Sequence, residues 1–213
     1  SIEQALAVAA EELGISADAL LSDTALFIYG TTRATNGIVE RKIARTAFLT
    51  TAGFPDILLL KEGGKSEPHN LQVEYPDPYV PRRLTFEVPE RMNAEGGIET
   101  SLDEDAVRAL LATFKDRDVQ AIAVCLLWSI SNPAHELRVG QLIEQVCPGI
   151  PYTLSHKLNP ILREYRRASS TAIDASLKPL MQSYLLNLES DLKQAGYKND
   201  CLVSTSFGGV MHL

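Results

Sequence analysis

The sequence predicts an α/β fold with a mainly parallel sheet, and three observations indicate it. Short apolar runs of strand length alternate with segments whose apolar residues recur at helical spacing. The run at 121–128 is apolar on both faces, as expected of a central parallel strand. Glycines or Asn-Pro pairs stand where helices should end or begin. The 213 residues, 45% of them hydrophobic, suffice for one globular domain or two small lobes.

The first quarter of the chain predicts a strand, a helix and a second strand after an opening helix. The opening helix ends at Leu13, because Gly14 suits a left-handed C-terminal cap. Residues 25–29 predict a buried strand, residues 34–43 a helix and residues 46–51 a second strand. This order predicts that the two strands pair in parallel through a right-handed crossover.

The remaining elements follow the same alternation, with one exception. Residues 84–88 alternate like a half-exposed strand and Gly96-Gly97 marks a hairpin turn, which predicts an antiparallel excursion over residues 84–100. A helix is predicted from Asp103 to about Lys115, with Val107, Leu110, Leu111 and Phe114 buried. After it we expect a strand at 121–128, a helix from Asn132-Pro133 to Val146 and a strand at 151–155. A helical pattern then runs from Asn159-Pro160 to Gln194, split or kinked at Pro179, and a last strand lies at 201–205.

Charge and cysteine content limit the partners and the compartment. A formal net charge of −7 argues against a nucleic acid or an anionic membrane surface as the main partner. Three cysteines without a CxxC spacing suggest neither a disulfide framework nor a zinc knuckle. No apolar run approaches the roughly 20 residues of a membrane span, and no leader pattern opens the chain. We therefore expect a cytoplasmic protein with no membrane partner.

Small and hydroxyl-bearing residues follow the first predicted strand: Gly30, Thr31, Thr32, Thr35 and Asn36. At the start of a helix the backbone N–H groups are unpaired and the helix dipole favours an anion. A phosphate or carboxylate is therefore expected here, although the segment is neither a Walker loop nor a GxGxxG motif. The alternative is that Thr31 or Thr32 only caps the helix.

A second polar segment begins where the predicted strand 151–155 ends. His156 is the candidate catalytic histidine, because sites in α/β folds gather at strand ends; a hydrogen-bonded structural role is the alternative. Helical spacing places Arg163, Arg167 and either Ser170 or Thr171 on one face, where two arginines suit a carboxylate or phosphate. A solvated face with ion pairs to Glu164 is the alternative.

The remaining histidines and cysteines predict no further chemistry. His69, His135 and His212 have no partner at metal-ligand spacing and HExxH is absent, so no metal site formed by this chain alone is expected. Gly208-Gly209 either lets a nucleotide approach the backbone or simply turns the chain. The cysteines are expected in the core rather than as nucleophiles: Cys125, Cys147 and Cys201.

Six segments spread over nearly the whole chain carry a family resemblance: GTTRATNGIVERK (30–42), FLTTAGFPDIL (48–58), VPRRLTFEVPERM (80–92), AIAVCLLWSISNPAHE (121–136), SHKLNPILREYRRASST (155–171) and STSFGG (204–209). In this order they resemble the large subunit shared by ATP-dependent hydantoinases, 5-oxoprolinases and the acetone and aromatic-ketone carboxylases, the hydantoinase A family. Six ordered segments are far more specific than any one of them.

The resemblance implies an actin-like, ribonuclease-H-like ATPase architecture. It implies ATP with a divalent cation, used to phosphorylate an amide or enolate oxygen before water opens a ring or carboxylate is added. The expected substrate is a small cyclic amide or a ketone, and the expected partner is a second large subunit of the hydantoinase B type. Thr31, Thr32 and Asn36 are then expected near the phosphate or the reacting oxygen.

The resemblance also implies domain boundaries and a fragment. Residues 1–158 correspond to the hydantoinase/oxoprolinase N-terminal region and residues 159–213 to the start of the second domain. The family's Asp-Gly-Gly-Thr phosphate loop and its later acidic-glycine loop are absent, so we expect a fragment that is inactive alone. A non-catalytic interaction domain is the competing function; a sugar or acyl kinase is less favoured because no kinase signature appears.

Overall fold

The computed structural model describes residues 2–63, 67, 69–70, 72–205 and 208–212. The chain divides into two compact units, a terminal unit of residues 1–42 with 180–213 and a central unit of residues 43–179. The elements follow in the order α1 (Ile2–Leu13), α2 (Ala17–Asp23), β1 (Phe27–Tyr29), α3 (Arg33–Val39), β2 (Thr46–Thr51), α4 (Ile57–Leu60), a 3₁₀ turn (Arg82–Leu84), β3 (Thr85–Val88), β4 (Arg91–Met92), β5 (Ile98–Thr100), α5 (Glu104–Ala112), β6 (Ala121–Cys125), α6 (Ala134–Val146), β7 (Tyr152–Leu154), α7 (Ser155–Leu158), α8 (Glu164–Gln194), β8 (Cys201–Ser204) and β9 (Val210–His212).

The central unit contains a four-stranded, fully parallel sheet in the order β3-β2-β6-β7. Every residue of β2 and β6 is buried, since helices cover both faces of these inner strands. Ala47 and Leu49 face α5 and α6, whereas Phe48 faces the alanines of α8. The predicted fold class and the predicted central strand are confirmed.

The terminal unit contains a three-stranded sheet in the order β1-β8-β9. β1 pairs in parallel with β8, with Phe27 opposite Cys201, and β9 returns antiparallel to β8. Leu21, Leu188 and Tyr197 form the core of this unit beside Cys201. Ser206 and Phe207 of the closing sequence segment lie outside the described residues.

The predicted parallel pairing of residues 25–29 with residues 46–51 is wrong. β1 belongs to the terminal sheet and β2 to the central sheet. The reason is that β2 is hydrogen-bonded along both edges, to β3 and to β6, and has no edge left for β1. The correct partner of β1 lies more than 170 residues further along the chain, beyond the reach of a local pattern.

The antiparallel excursion is shorter than predicted. β3 pairs in parallel with β2, and only β4 and β5 form an antiparallel hairpin. Gly96 has a φ of +83° in the hairpin turn, a backbone conformation that favours glycine. The alternation over residues 84–88 reflects an edge strand of the parallel sheet, with Glu87 exposed and Val88 buried.

Helix ends agree with the sequence where a side chain or a glycine fixes them. Asp103 Oδ1 accepts a hydrogen bond from Ala106 N at 2.9 Å, and Gly14 has a φ of +66° after α1. The predicted start at Asn159-Pro160 is wrong, because Asn159 Nδ2 donates to Ser170 Oγ instead of capping a helix. α8 begins at Glu164 and continues through Pro179 as one helix.

Within the described part of the chain, no helix is long and apolar enough to cross a membrane.

Candidate functional site

Parallel pairing of β1 with β8 brings two polar segments to one edge of the terminal sheet. The register sets Tyr29 opposite Val203, so Gly30 and Ser204 follow at the same end of their strands. A Cβ on Gly30 would lie only 2.9 Å from Ser204 Oγ, so a side chain here would force the Ser204 hydroxyl to move. We call this group of residues the terminal edge: Gly30, Thr31, Thr32, Ser204, Thr205, Gly208 and Gly209. Carboxyl ends of parallel strands are where α/β folds bind ligands.

The polar side chains after β1 differ in the hydrogen bonds that they make within the protein. Thr31 Oγ1 accepts a hydrogen bond from Arg33 N at 3.1 Å. Thr32 precedes α3 but its side chain makes no capping bond. The side chains of Thr32, Thr35 and Asn36 are exposed and have no hydrogen bond to any described residue. These three polar groups are therefore available to a ligand, and the capping alternative applies to Thr31 rather than to Thr32.

The second half of the terminal edge is a turn. Gly208 and Gly209 have φ angles of +86° and +82° and connect β8 to β9. Thr205 Oγ1 donates to the carbonyl of Gly208 at 2.7 Å, which holds the turn. The sequence predicted either a turn or a nucleotide contact for this glycine pair. The structure shows the turn, and a nucleotide contact stays a prediction.

Arg33 brings a positive charge beside the terminal edge, which the sequence analysis missed. Its guanidinium carbon lies 4.5 Å from the ring centre of Tyr184, a cation–π contact. The hydroxyls of Tyr184 and Tyr29 are 2.5 Å apart, and this hydrogen bond, together with desolvation, raises the pKa of Tyr184. The ring therefore stays neutral and holds Arg33 at the start of α3.

A buried polar cluster lies at the carboxyl ends of β6 and β7 in the central unit. Glu136 on α6 is fully buried and accepts four hydrogen bonds. Oε1 accepts from Leu126 N at 2.8 Å and from Ser155 Oγ at 2.5 Å. Oε2 accepts from His156 N at 3.1 Å and lies 2.6 Å from His156 Nδ1. We call Glu136, Ser155, His156 and Arg167 the central network.

Arg167 lies inside this network rather than on an exposed helix face. It is fully buried and donates to Ser155 Oγ at 3.1 Å, to the carbonyl of Ile161 at 2.8 Å and to that of Leu126 at 2.9 Å. All three of these hydrogen bonds are to protein atoms, so the side chain stabilises the fold. Its predicted role in gripping a substrate is not favoured by this position.

The predicted face of Arg163, Arg167 and Ser170 is divided in the structure. Arg163 directly precedes α8 and its side chain is 72% exposed, whereas the side chain of Arg167 is buried. Ser170 Oγ donates to the carbonyl of Arg166 at 2.7 Å. The expected ion pairs to Glu164 are replaced by pairs to Glu62, whose pKa the Arg166 hydrogen bond lowers.

A second carboxylate–histidine pair lies beside the first. Glu90 is buried, and its Oε2 lies 2.7 Å from Nδ1 of His135, the residue before Glu136. Thr51 Oγ1 donates to Glu90 Oε1 and accepts from Leu127 N at 2.9 Å. Glu136 thus binds the backbone N–H of Leu126 directly, whereas Glu90 is linked to the N–H of Leu127 through Thr51 Oγ1. Sequence reasoning missed both carboxylates, since neither has a spacing that marks it.

The cysteines occupy core positions, as expected. Burial raises the pKa of Cys125 to about 12, and it raises the pKa of Cys147 and of Cys201 as well. Among the described residues, no three His, Cys, Asp or Glu side chains come together in a way that holds a metal ion.

Comparison with known proteins identifies the family. Residues 1–147 match the model of the hydantoinase/oxoprolinase N-terminal region. The chain belongs to this family. The family resemblance drawn from the six sequence segments is therefore confirmed. The compact units do not follow the predicted boundary at residue 158, which concerns family regions and stays a prediction.

Relatives in the family include lactam hydrolases and ketone carboxylases. The caprolactamase alpha subunit of Pseudomonas jessenii is 31% identical over 212 residues, covering 99% of this chain and 30% of that subunit. The acetophenone carboxylase gamma subunit of Aromatoleum aromaticum is 32% identical over 212 residues, covering 93% of this chain and 29% of the subunit. The crystal structure of the ATP-dependent caprolactamase from Pseudomonas jessenii has a TM-score of 0.90, with 98% of this chain and 30% of that chain covered. The chain thus spans about three tenths of the length of these relatives.

Proposed function

We propose that the chain is part of an ATP-dependent enzyme that hydrolyses a cyclic amide. The observation that carries the proposal is the likeness of 98% of the chain to an ATP-dependent caprolactamase, at a TM-score of 0.90. In this function ATP supplies a phosphoryl group to the amide oxygen, which turns a poor leaving group into a good one. A second large subunit and a cytoplasmic location belong to the same proposal.

The terminal edge fits the phosphate end of ATP in its chemistry. A Cβ on Gly30 would meet Ser204 Oγ at 2.9 Å, so the missing side chain lets the ends of β1 and β8 approach each other closely. The exposed hydroxyl of Thr32 and the amide of Asn36 are without hydrogen bonds to described residues, so they are free to bind phosphate oxygens or the reacting oxygen. Hydroxyl oxygens also suit a divalent cation, which in nucleotide sites takes most of its ligands from phosphate and water. Arg33 adds a positive charge that attracts the phosphates.

A ketone carboxylase subunit is the second candidate. The observation in its favour is the 32% identity to the acetophenone carboxylase gamma subunit, which equals the identity to the caprolactamase within one per cent. Both functions need a phosphorylated oxygen, so the terminal edge has the same task in either. They differ in the co-substrate, water in one and bicarbonate in the other.

The test is ATP hydrolysis by the polypeptide at its natural length, with and without a lactam, or with a ketone and bicarbonate. We expect Thr32→Ala to lower turnover roughly 100-fold, the typical effect of removing one donor that stabilises developing charge. Thr24→Ala is the matched control, since its hydroxyl only donates to the carbonyl of Leu20 in the same unit. Unchanged turnover in Thr32→Ala with a lower melting temperature would reduce Thr32 to a structural residue. Absence of ATP hydrolysis under all of these conditions would favour the non-catalytic interaction domain.

A further inference from the structure

The outer edge of β7 carries backbone groups that no strand of the central sheet pairs. β7 is the last strand in the order β3-β2-β6-β7. Ile122 of β6 stands opposite Tyr152, and its N–H donates to the carbonyl of Pro151 at 3.0 Å. In a parallel ladder of this register, Thr153 bonds to β6 through its N–H and its carbonyl. The N–H and carbonyl groups of Tyr152 and Leu154 therefore point away from β6.

The acceptors at this edge are bonded within the protein, whereas a nearly buried donor is not. Lys178 Nζ donates to the outward carbonyl of Tyr152 at 2.7 Å and lies 3.4 Å from Asp174 Oδ2. The same Oδ2 accepts from Thr153 Oγ1 at 2.6 Å. Leu154 is only 5% exposed, and its N–H donates to no described residue. Because an unpaired N–H in such a position is costly, an acceptor from solvent or from a ligand is expected there.

A groove of about 420 Å³ lies beside this donor, lined by residues of β7, α7 and α8. Its charged side chains are two lysines, Lys157 and Lys178, against one aspartate, Asp174. Lys157 is exposed and its ammonium group makes no hydrogen bond or ion pair with a described residue. Leu158 adds an apolar surface that is 40% exposed. The volume lies within the roughly 300–1,000 Å³ of small-molecule sites.

We propose that this groove binds a small aliphatic carboxylate. One carboxylate oxygen accepts from the N–H of Leu154, the other pairs with the ammonium of Lys157, and the alkyl chain packs against Leu158. Two unpaired donors match the two oxygens of a carboxylate, whereas a phosphate group has more oxygens and more charge to satisfy. The site contains no residue of the terminal edge and is independent of the proposed function.

An added peptide strand is a poorer match to the same edge. β7 has only three residues, and Lys178 covers the carbonyl of Tyr152 that an incoming strand would use. Short edge strands and lysines at an edge are features that oppose strand addition. The free Leu154 N–H and the free Lys157 charge, by contrast, need only one anionic group.

Titration of the ¹⁵N-labelled chain with sodium pentanoate tests the site, and pentanamide is the neutral probe of the same shape. We expect pentanoate to shift the amide proton of Leu154 downfield in a saturable way, because a carboxylate is a strong acceptor. Pentanamide should bind more weakly. Equal affinities for the two probes, or no saturable shift with pentanoate, would overturn the proposal.

Two lysine variants test the charge. Lys157→Gln should weaken pentanoate binding about threefold to fivefold, the effect of losing a partly exposed ion pair. Lys115→Gln is the matched control, since Lys115 is an exposed lysine of the same unit that does not line the groove and has no described partner. Both residues are exposed, so both variants should fold. An unchanged affinity in Lys157→Gln, or an equal loss in the two variants, would overturn the assignment.

A blocked tetrapeptide of alternating glutamate and valine separates a free carboxylate from an acidic strand. We expect it to bind more weakly than pentanoate. Tighter binding of the peptide, with shifts of the amides of both Tyr152 and Leu154, would overturn the proposal in favour of strand addition. These titrations contain no nucleotide and no lactam, so failure of the proposed function does not alter their result.

Discussion

Arg163 and Arg167 are four residues apart and chemically identical, yet the structure predicts very different consequences for their removal. Arg167→Ala removes the donors to Ser155 Oγ and to the carbonyls of Ile161 and Leu126, and with them the buried positive charge that is linked to Glu136 through Ser155 Oγ. Removing one charged member of a buried charged cluster typically lowers the free energy of unfolding by about 3–5 kcal/mol. Arg163 is 72% exposed and lies 3.9 Å from Glu62, so Arg163→Ala should change stability by about 0.5 kcal/mol or less.

Urea unfolding of the chain measures this difference. Trp128 is the only tryptophan and belongs to the central unit, so its fluorescence reports on the unit that contains both arginines. With a urea slope of about 2 kcal/mol/M, a loss of 4 kcal/mol moves the midpoint down by about 2 M. Arg167→Lys keeps the charge but not the planar set of donors, and should fall between the two alanine variants. Midpoints for Arg163→Ala and Arg167→Ala within about 0.5 M of each other would refute the reasoning.

Three further outcomes follow from the structure. Gly30→Ala should lower the free energy of unfolding by about 0.5–1.5 kcal/mol, measured by thermal unfolding, because the new methyl group forces Ser204 Oγ from its position. Adding Ser204→Ala should restore most of that loss. Additive effects of the two substitutions would contradict the close approach of the two residues. Cys125, with its pKa raised to about 12 by burial, should resist iodoacetamide in the native chain and react after unfolding, as mass spectrometry of the alkylated peptide will report. Desolvation and Glu144 raise the pKa of Tyr152 from 10.0 to about 12, so its contribution to stability is present below pH 10 and is lost as the pH rises through 12. Tyr152→Phe should therefore make the free energy of unfolding less dependent on pH between about pH 10 and 12. The same pH dependence in Tyr152→Phe and in the wild type would contradict this role of Tyr152.

Local patterns predicted the elements whose stabilising groups lie close in sequence. The doubly apolar run containing β6 identified a central strand, because such a run can be buried only between two layers of helices. Asp103 and Gly14 identified helix ends, because a cap depends on groups three to five residues away. The family segments 48–58 and 121–136 indicated the fold class for the same reason, since each contains strand residues and the start of the helix after them.

Pairings and charges that depend on distant residues could not be predicted. β1 finds its partner in β8 through register and packing that no window of sequence contains. Glu136 and Glu90 look like ordinary surface glutamates in the sequence; only the fold brings His156, Ser155 and Arg167 around the first of them. Arg167 was assigned to an exposed face because helical spacing gives the angle of a residue around the axis but not which side faces the sheet.

The central claim is that the amide oxygen of a lactam is phosphorylated before the ring opens, and oxygen isotopes test it most directly. A lactam labelled with ¹⁸O at its carbonyl is incubated with ATP and the polypeptide at its natural length, roughly 700 residues if the chain is three tenths of it as in the caprolactamase. Phosphorylation of the carbonyl oxygen leaves that oxygen on phosphorus when water completes the hydrolysis. The account predicts one ¹⁸O atom in each inorganic phosphate released during ring opening. Ring opening accompanied by unlabelled phosphate would contradict it.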